Sequence, residues 1–528
     1  MTLRTHIPLE KATNTSQSAA GLCLAVALSL SACGGGNDGS PRDINRSSSE
    51  GEGWVKGEFL PADQFAHRCA DPRTGSNYPD RAGSILDENN WLRSWVNDTY
   101  LWYDEVLDRD PGLYTETESY FRLLRTTERT ESGRSKDDFR FTMPTHEYQA
   151  MAQSGVSVGY GIQWAIHSPT PPRDIQVVYV EPGSPADEAG VKRGQKLTAV
   201  NGLDVVHNNN TAALAIINAG LYPAQAGDNY ELKFDGNLNA DLTAEAITSS
   251  PVPIVKTFET ESGTVGYLLF NDHTAVSEQA LVDAITSLEG EVMDLILDLR
   301  YNGGGYLAIA SQLSYMIADT RLTDGKVFEK LSFNDKHPDV NPVTDQPIRP
   351  MNFYSETVGL SAPAGEPLPS LQLSRVYVIS GSNTCSASEA IINGLRGVDV
   401  DVILIGATTC GKPYGFYAQD NCGTTYAMTQ FRGENEKGFG DYSEGFAPGS
   451  GAPGAVSLPG CSVRDDLRRQ LGDPEEWRLA AALQYRESET CPTLSGGSGA
   501  SMKGTVAPVE DGYIPRSPAL QNRIMTGD

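Results

Sequence analysis

From about residue 251 onward, short apolar segments alternate with segments of helical periodicity. The apolar runs include "GTVGYLLF", "MDLIL", "SRVYVIS" and "DVILIGA", and the helical segments include "SEQALVDAITSL" and "SASEAIINGLRG". Continuous apolar strands separated by helices predict a mainly parallel sheet with both faces covered. Since the reactive groups of such sheets collect at the carboxyl ends of strands, we expect the functional residues along one edge.

One candidate is the motif "SASE", Ser386 to Glu389, which follows the strand "VYVIS". One interpretation is a capping box, in which Ser386 caps the following helix and Glu389 reaches back to it. The other is a nucleophilic Ser386, because unpaired N–H groups at a helix N-terminus can stabilise a developing oxyanion. The two interpretations are compatible.

Lys412 follows the next apolar strand, in "ATTCGKPYGF". If the sheet is parallel, both strand exits lie at the same edge, and Lys412 could reach Ser386. As a general base Lys412 must be neutral, which costs an unperturbed lysine about 4–5 kcal/mol at pH 7. Burial under Tyr414, Phe416 and Tyr417 would supply that shift. The alternative is a structural lysine that pairs with a carboxylate or caps its loop.

A third candidate is "DLRYNGGG", Asp298 to Gly305, directly after another apolar strand. Three consecutive glycines indicate positive φ angles or close backbone approach. Backbone donors of this turn could complete an oxyanion hole with the N–H of Ala387, although a plain strand-to-helix turn would also explain the glycines. Among the histidines, only His273 in "FNDHTA" is a candidate alternative base.

Residues 151–250 contain an ordered set of glycines between short β-rich runs. "GYGI" at 159–162 is followed by "GSPADEAG" and "VNG", and this series resembles a PDZ domain. The resemblance implies that Tyr160, Gly161 and Ile162 form a carboxylate-binding loop, while an exposed strand edge accepts a peptide as an additional strand. The helix that lines the groove is then expected at Thr211 to Gly220.

Taken together and in this order, the motifs resemble the carboxyl-terminal processing peptidases, or tail-specific proteases, which use a Ser/Lys dyad. The resemblance implies that Ser386 is the nucleophile, that Lys412 is the general base, and that the N–H groups of Ala387 and Gly304 bind the oxyanion. It also implies a PDZ domain that binds protein or peptide tails, and neither a metal nor another cofactor.

The chain departs from that family pattern at one position. Many members carry a glutamine four residues after the lysine, where this chain has Phe416. Gln419 is nearby and is a possible orienting residue. The departure leaves a second hypothesis open, a catalytically silent or partner-activated scaffold that binds peptides.

The amino-terminal residues 1–32 have the pattern of a secretory signal, with Arg4 and Lys11 ahead of a short apolar run. The run ends in "LSAC", which resembles a bacterial lipobox and implies lipidation at Cys33; an ordinary secretory signal is the alternative. A Gly/Ser-rich tether follows over residues 33–62. These features predict an exported protein anchored by lipid to the cell envelope, at the outer membrane, facing the periplasm or the cell surface.

The net charge of −27 argues against a nucleic-acid partner. In an oxidising compartment the six cysteines after Cys33 would form disulfides. Six cysteines allow 15 connectivities, among which the sequence does not choose; closeness along the chain alone suggests the pairs Cys410–Cys422 and Cys461–Cys491. No cysteine or histidine spacing indicates zinc.

We therefore predict a multidomain chain. Its parts are an N-terminal helical domain at 63–150, a β-rich α+β PDZ domain at 151–250, an α/β peptidase core at 251–494 and a loosely ordered tail at 495–528. The oligomeric state is not indicated.

Overall fold

The structure is a computed structural model that describes residues 54–130, 132–449, 452–492, 514 and 523–525. The predicted signal peptide, the lipidation residue Cys33 and most of the tether lie outside the described residues. Over the part of the chain that is described, no helix is both long and apolar enough to cross a membrane.

The N-terminal region combines helices with three short strands. Its helices are α1 (Ile85–Thr99), α2 (Thr117–Phe121) and α3 (Thr145–Ser154), and its strands are β1 (Arg68–Cys69), β2 (Arg81–Ala82) and β3 (Phe141–Pro144). Helix α1 begins at the N-cap Ser84, whose side chain accepts from the Asp87 N–H. The aromatic stripe of α1 forms a core as predicted, with Trp91 and Trp95 stacked at 5.1 Å.

The PDZ region is β-rich and contains two helices. Its elements are β4 (Val156–Gly159), β5 (Ile162–Ser168), β6 (Asp174–Val180), α4 (Pro185–Glu188), β7 (Leu197–Val200), β8 (Leu203–Asp204), α5 (Thr211–Leu221), β9 (Asn229–Phe234), β10 (Asn239–Thr243) and β11 (Glu245–Thr248). Helix α5 coincides with the predicted groove helix.

The core region follows, with alternating strands and helices. Its strands are β12 (Ile254–Thr260), β13 (Gly263–Leu269), β14 (Asp294–Asp298), β15 (Gly305–Tyr306), β16 (Val327–Ser332), β17 (Met351–Asn352), β18 (Arg375–Ser380), β19 (Asp401–Gly406), β20 (Tyr414–Gly415), β21 (Gln419–Asn421), β22 (Thr424–Ala427), β23 (Phe431–Glu434), β24 (Phe446–Pro448), β25 (Val456–Leu458), β26 (Gly460–Ser462) and β27 (Arg523–Ile524). Its helices are α6 (Ser277–Leu288), α7 (Leu307–Ile317), α8 (Thr320–Thr323), α9 (Ala387–Gly397) and α10 (Trp477–Ser488).

The central sheet has the strand order β12-β13-β14-β18-β19-β26. Strands β12 and β13 are antiparallel, and the other neighbours are parallel. Alternate residues point to opposite faces: Val376 and Val378 pack with α6, α7 and α9, whereas Tyr377 and Ile379 pack with α10 and with part of the PDZ region. The predicted mainly parallel sheet, covered on both faces, is confirmed.

The PDZ region packs on the core through Arg193. The Arg193 guanidinium donates to the Val178 carbonyl at 2.7 Å and also contacts Tyr301 and Asp465. Asp465 pairs in turn with the fully buried Arg300 at 2.8 Å. Buried charges are tolerated only when they are paired, so this cluster holds together the PDZ region and the segment that follows β14.

Three disulfides join cysteines within the described residues. Cys461–Cys491 is confirmed, but the predicted pair Cys410–Cys422 is wrong, because Cys410 bonds to Cys385 and Cys422 bonds to Cys69. Cys422 lies between β21 and β22, next to the N-terminal region, whereas Cys410 lies beside the start of α9. The disulfide pairs therefore follow closeness in the folded chain and not closeness along the sequence.

Candidate active site

Three strand exits meet at one edge of the central sheet. Asp298 at the end of β14 is the partner of Ile379 on β18, and Ser380 at the end of β18 is the partner of Gly406 on β19. We name the segments that follow these strands the glycine turn (299–305), the serine turn (381–386) and the lysine loop (407–413). They begin side by side, so the predicted shared edge is confirmed.

Ser386 is the N-cap of α9 and is fully buried. Its φ of 59° and ψ of −109° fall where a non-glycine residue costs about 1–3 kcal/mol. The capping serines Ser84 and Ser184 instead have φ values of −145° and −82°. Backbone strain of this kind is concentrated at functional sites, and simple capping does not require it.

The carboxylate of Glu389 joins the serine turn to the lysine loop. Its Oε2 accepts from the N–H of Ser386 at 2.9 Å and from the N–H of Lys412 at 2.8 Å. Its Oε1 accepts from the Gly411 N–H at 2.8 Å and from the Thr409 hydroxyl at 2.5 Å. Burial raises the pKa of Glu389, and these donors oppose that rise. Because one oxygen binds both backbone N–H groups, Ser386 and Lys412 are held as neighbours.

Lys412 is 1% exposed and lies among aromatic rings. Its Nζ is 4.7 Å from the centre of the Phe139 ring and 5.9 Å from that of Phe416. Phe416 is one of the three predicted covering residues, and Tyr417, another of them, is buried. Phe139 belongs to the N-terminal region, and no signal in the sequence connected it with Lys412.

Asn302 connects the glycine turn to the serine turn. Its carbonyl accepts from the Cys385 N–H at 3.1 Å and from the Ser388 hydroxyl at 3.0 Å. Its side-chain Oδ1 accepts from the Gly304 N–H at 2.9 Å. The Gly304 N–H, a predicted oxyanion donor, is therefore engaged with Asn302 here. Ala387, the other predicted donor, is the first residue of α9, where N–H groups lack intrahelical partners.

His273 packs against the same glycine turn. Its Nδ1 lies 2.9 Å from Asn302 Oδ1, and the Asn302 Nδ2 donates to the Phe270 carbonyl at 3.0 Å. This second bond fixes the amide orientation, so Oδ1 accepts and the His273 Nδ1 carries the proton. Burial lowers the pKa of His273 to about 3. His273 is therefore neutral near pH 7, and its observed contacts are structural.

We expect replacement of His273 by asparagine to flatten the pH dependence of stability. The pKa of His273 in the folded chain lies below its unfolded value near 6.5. The neutral imidazole therefore contributes fully to the free energy of unfolding above about pH 6.5, and this contribution is lost as the pH falls towards 3. At pH 5 the parent chain should lose about 2 kcal/mol that His273→Asn does not lose. Thermal unfolding at pH 5 and pH 8 measures the difference.

The exposed His146 provides the control, because His146→Asn makes the same substitution outside the protein core. Equal pH dependence in the parent and His273→Asn would show that the buried imidazole does not cause the loss of stability at low pH.

The disulfide Cys385–Cys410 links the residue before Ser386 to the lysine loop, with a Cα–Cα distance of 5.2 Å. Arg134 from the N-terminal region donates to the Cys410 carbonyl at 2.8 Å. The two sulfur atoms and the Glu389 carboxylate lie within 4.8 Å of one another. A metal ion would bind these cysteines as thiolates, but both sulfur atoms are already bonded to each other in the disulfide. The cluster therefore links the two segments covalently.

A cavity of about 220 Å³ adjoins the predicted carboxylate loop. On the PDZ side it is lined by the predicted peptide-binding residues Tyr160, Gly161 and Ile162. Gly161 has φ +80°, and a Cβ there would lie 2.4 Å from the Ser184 side chain, so only glycine fits this loop.

On the core side, the cavity is lined by residues that flank His273, namely Asn271, Asp272 and Thr274. The backbone of His273 pairs with the glycine turn, donating to the Gly304 carbonyl at 3.2 Å. The cavity and the glycine turn are thus connected through one short segment.

Gln419, the possible orienting residue, lies in β21, where its partner is Tyr426 on β22. The position four residues after Lys412 holds the buried Phe416, whose ring meets Phe141 at 5.7 Å. An aromatic ring therefore fills the position at which the resemblance implies glutamine.

Three family models match the chain. Residues 264–438 match peptidase family S41, residues 176–217 match a PDZ domain, and residues 87–142 match the peptidase S41 N-terminal domain. The matched segments fall within the core, the PDZ region and the N-terminal region described above.

The chain is similar to curated processing proteases. It is 22% identical to a carboxyl-terminal-processing protease of Picosynechococcus, over 63% of this chain and 75% of that protein. It is 30% identical to the carboxy-terminal processing protease CtpA of Bacillus subtilis, over 28% of this chain and 31% of that protein. The matched share of the curated relatives thus ranges from about a third to three quarters.

Among solved structures, the chain is similar to a Bacteroides fragilis protein described as an S41 protease. The match has 22% identity and a TM-score of 0.56, and covers 79% of this chain and 100% of that chain. This likeness establishes the fold.

Proposed function

We propose that the chain is a serine-type peptidase of family S41 with a PDZ domain and that it cleaves protein substrates at or near their carboxyl-terminal tails. The proposed mechanism is a Ser/Lys dyad with an acyl-enzyme intermediate. Ser386 is the nucleophile and Lys412 is the general base.

In the proposed reaction, the neutral Lys412 amine takes the proton of the Ser386 hydroxyl as Oγ attacks the scissile carbonyl carbon. The C–N bond then breaks, and the Lys412 ammonium returns the proton to the leaving amine. Water hydrolyses the acyl enzyme and regenerates Ser386. Burial of Lys412 supports this role, since desolvation disfavours the ammonium form.

The N–H groups of Ala387 and Gly304 are the proposed oxyanion donors. For this role, the Gly304 N–H must exchange its bond with Asn302 Oδ1 for one with the substrate oxygen. Ala387 lies next to Ser386 at the start of α9 and needs no comparable exchange within the helix. Gln419 remains a candidate orienting residue.

The observation that carries the proposal is the shared carboxylate oxygen of Glu389. This oxygen binds the backbone N–H groups of both Ser386 and Lys412, and the Cys385–Cys410 disulfide fastens the same two segments. A scaffold that only bound peptides would need neither the strained Ser386 backbone nor a buried lysine beside it.

We propose that the PDZ region supplies substrates to this dyad. The loop formed by Tyr160, Gly161 and Ile162 would hold the carboxylate of a tail, and an extended peptide would pair with an exposed strand edge. The cavity at this loop borders the segment around His273, which touches the glycine turn.

The cellular setting is proposed from the sequence. A signal peptide at 1–32, lipidation at Cys33 and a tether at 33–62 would anchor the chain to the bacterial envelope, at the outer membrane facing the periplasm or cell surface. The proposed domain boundaries remain 63–150, 151–250, 251–494 and 495–528.

Incubation of the purified chain with casein, an unstructured protein, tests the proposal. We expect peptide fragments that accumulate with time, identified by mass spectrometry. Intact casein together with saturable binding of carboxyl-terminal peptides would overturn the proposal in favour of the catalytically silent scaffold.

A further inference from the structure

The segment Arg523–Met525 lies against the candidate active site. Strand β27 runs parallel to β15, with Arg523 opposite Gly305 and Ile524 opposite Tyr306. The Met525 N–H donates to the Phe416 carbonyl at 3.3 Å.

These contacts place the segment between two catalytic elements. Gly305 directly follows Gly304, a proposed oxyanion donor, and Phe416 packs beside Lys412, the proposed base. The segment 523–525 therefore contacts both the glycine turn and the residues that follow the lysine loop.

The edge of β15 that receives this segment is preformed. On the other side of β15, the Tyr306 N–H donates to the His273 carbonyl at 2.8 Å, and the Gly304 carbonyl accepts from the His273 N–H at 3.2 Å. Since successive residues of a strand direct their backbone groups to alternate sides, the groups of Gly305 face β27. A Cβ on Gly305 would lie 2.4 Å from the His273 carbonyl oxygen, so close packing on His273 fixes the position of this edge.

We propose that this edge is the peptide-binding strand of the catalytic groove and that the segment 523–525 occupies it as an inhibitor in cis. An exposed strand edge binds any extended main chain through backbone hydrogen bonds. A substrate peptide would need the same Gly305 groups, so the segment and the substrate exclude each other. This inference rests on the proposed function of Ser386 and Lys412.

Two apolar side chains of the carboxyl-terminal residues pack against the core. Met525 packs against the cluster between the sheet and helices α6, α7 and α9. Ile514, nine-tenths or more buried, packs into the cluster on the opposite face of the sheet. The loosely ordered tail expected at 495–528 stays a prediction, since only residues 514 and 523–525 of it are described.

Tethering explains how so short a pairing can inhibit. A tethered segment has an effective concentration of about 1 mM. If the free peptide bound with a Kd of about 0.1 mM, the groove would be occupied about nine-tenths of the time. Removal of the segment is then expected to raise the rate about tenfold.

The test compares the full chain with a chain truncated after Leu520, which keeps Ile514. We expect truncation to raise kcat/KM for casein about tenfold. The free peptide covering residues 521–528 should inhibit the truncated chain, and the matched peptide carrying Met525→Pro should not, because proline lacks the N–H that Phe416 accepts. Equal kcat/KM in the two chains would overturn the inference.

A binding measurement separates failure of this inference from failure of the proposed function. Fluorescence anisotropy with the labelled 521–528 peptide should show saturable binding to the truncated Ser386→Ala chain and none to the full-length Ser386→Ala chain. If neither chain cleaves casein but this difference appears, the proposed function fails and the cis occupancy stands. Absence of binding to the truncated chain would refute the cis occupancy.

Discussion

Replacement of Ser386 by alanine is expected to abolish cleavage of casein, with kcat/KM lowered by about 10³-fold or more. The substitution removes Oγ, the atom that forms the acyl bond, and leaves the Ser386 N–H bond to Glu389 in place. The chain should therefore stay folded while turnover is lost. Initial rates of fluorescent casein cleavage, together with thermal unfolding of both proteins, measure the two effects.

Ser388 supplies the matched control for this prediction. It lies in the same motif, is equally buried, and its hydroxyl donates to the Asn302 carbonyl at 3.0 Å. Ser388→Ala should cost about 1 kcal/mol of stability and retain measurable turnover. If Ser386→Ala and Ser388→Ala behave alike, with reduced stability and parental kcat/KM, then Ser386 only caps α9 and the dyad mechanism is refuted.

The second large effect is expected at Lys412. A general base must release its proton, and arginine does not do so in proteins. We therefore expect Lys412→Arg to lose activity as fully as Lys412→Met, by about 10³-fold in kcat/KM. The comparison is informative because arginine keeps the positive charge and the aromatic contacts, whereas methionine keeps the length of the apolar side chain and removes the charge.

The same pair of variants tests the structural interpretation of this lysine. If Lys412 acted only as a buried cation above the Phe139 and Phe416 rings, arginine would preserve activity and only methionine would impair it. Lys437→Met is the control, because Lys437 is half-exposed and pairs with Asp399, and its removal should leave kcat/KM unchanged. Parental activity in Lys412→Arg would eliminate the proposed base.

The ends of three strands of the central sheet can be predicted from local sequence. The apolar runs ending at Asp298, Ser380 and Gly406 were recognisable because buried parallel strands need continuous hydrophobic segments. Their carboxyl ends were expected at one edge, and the register confirms it. The motifs "DLRYNGGG", "SASE" and "CGK" lie at those ends, so local sequence alone indicates the three segments of the candidate site.

Glu389 makes one contact that local sequence predicts and others that it does not. The capping-box pattern predicted a contact between Glu389 and Ser386, because both residues lie within one helical turn. Nothing local predicted that the same carboxylate would bind the Gly411 and Lys412 N–H groups. That contact exists because β18 and β19 are neighbours in the sheet, which brings the two loops together.

The order of domains, the alternation of strands and helices and the residue types at the strand ends are all evident from local sequence. These properties follow from periodicity and from hydrogen bonds that span a few residues. Three other features depend on the fold as a whole: Cys410 bonds to Cys385, Phe139 covers Lys412, and the segment 523–525 lies on Gly305. Such contacts join positions that are distant along the chain, and the strand order, the register and the packing of whole regions select them.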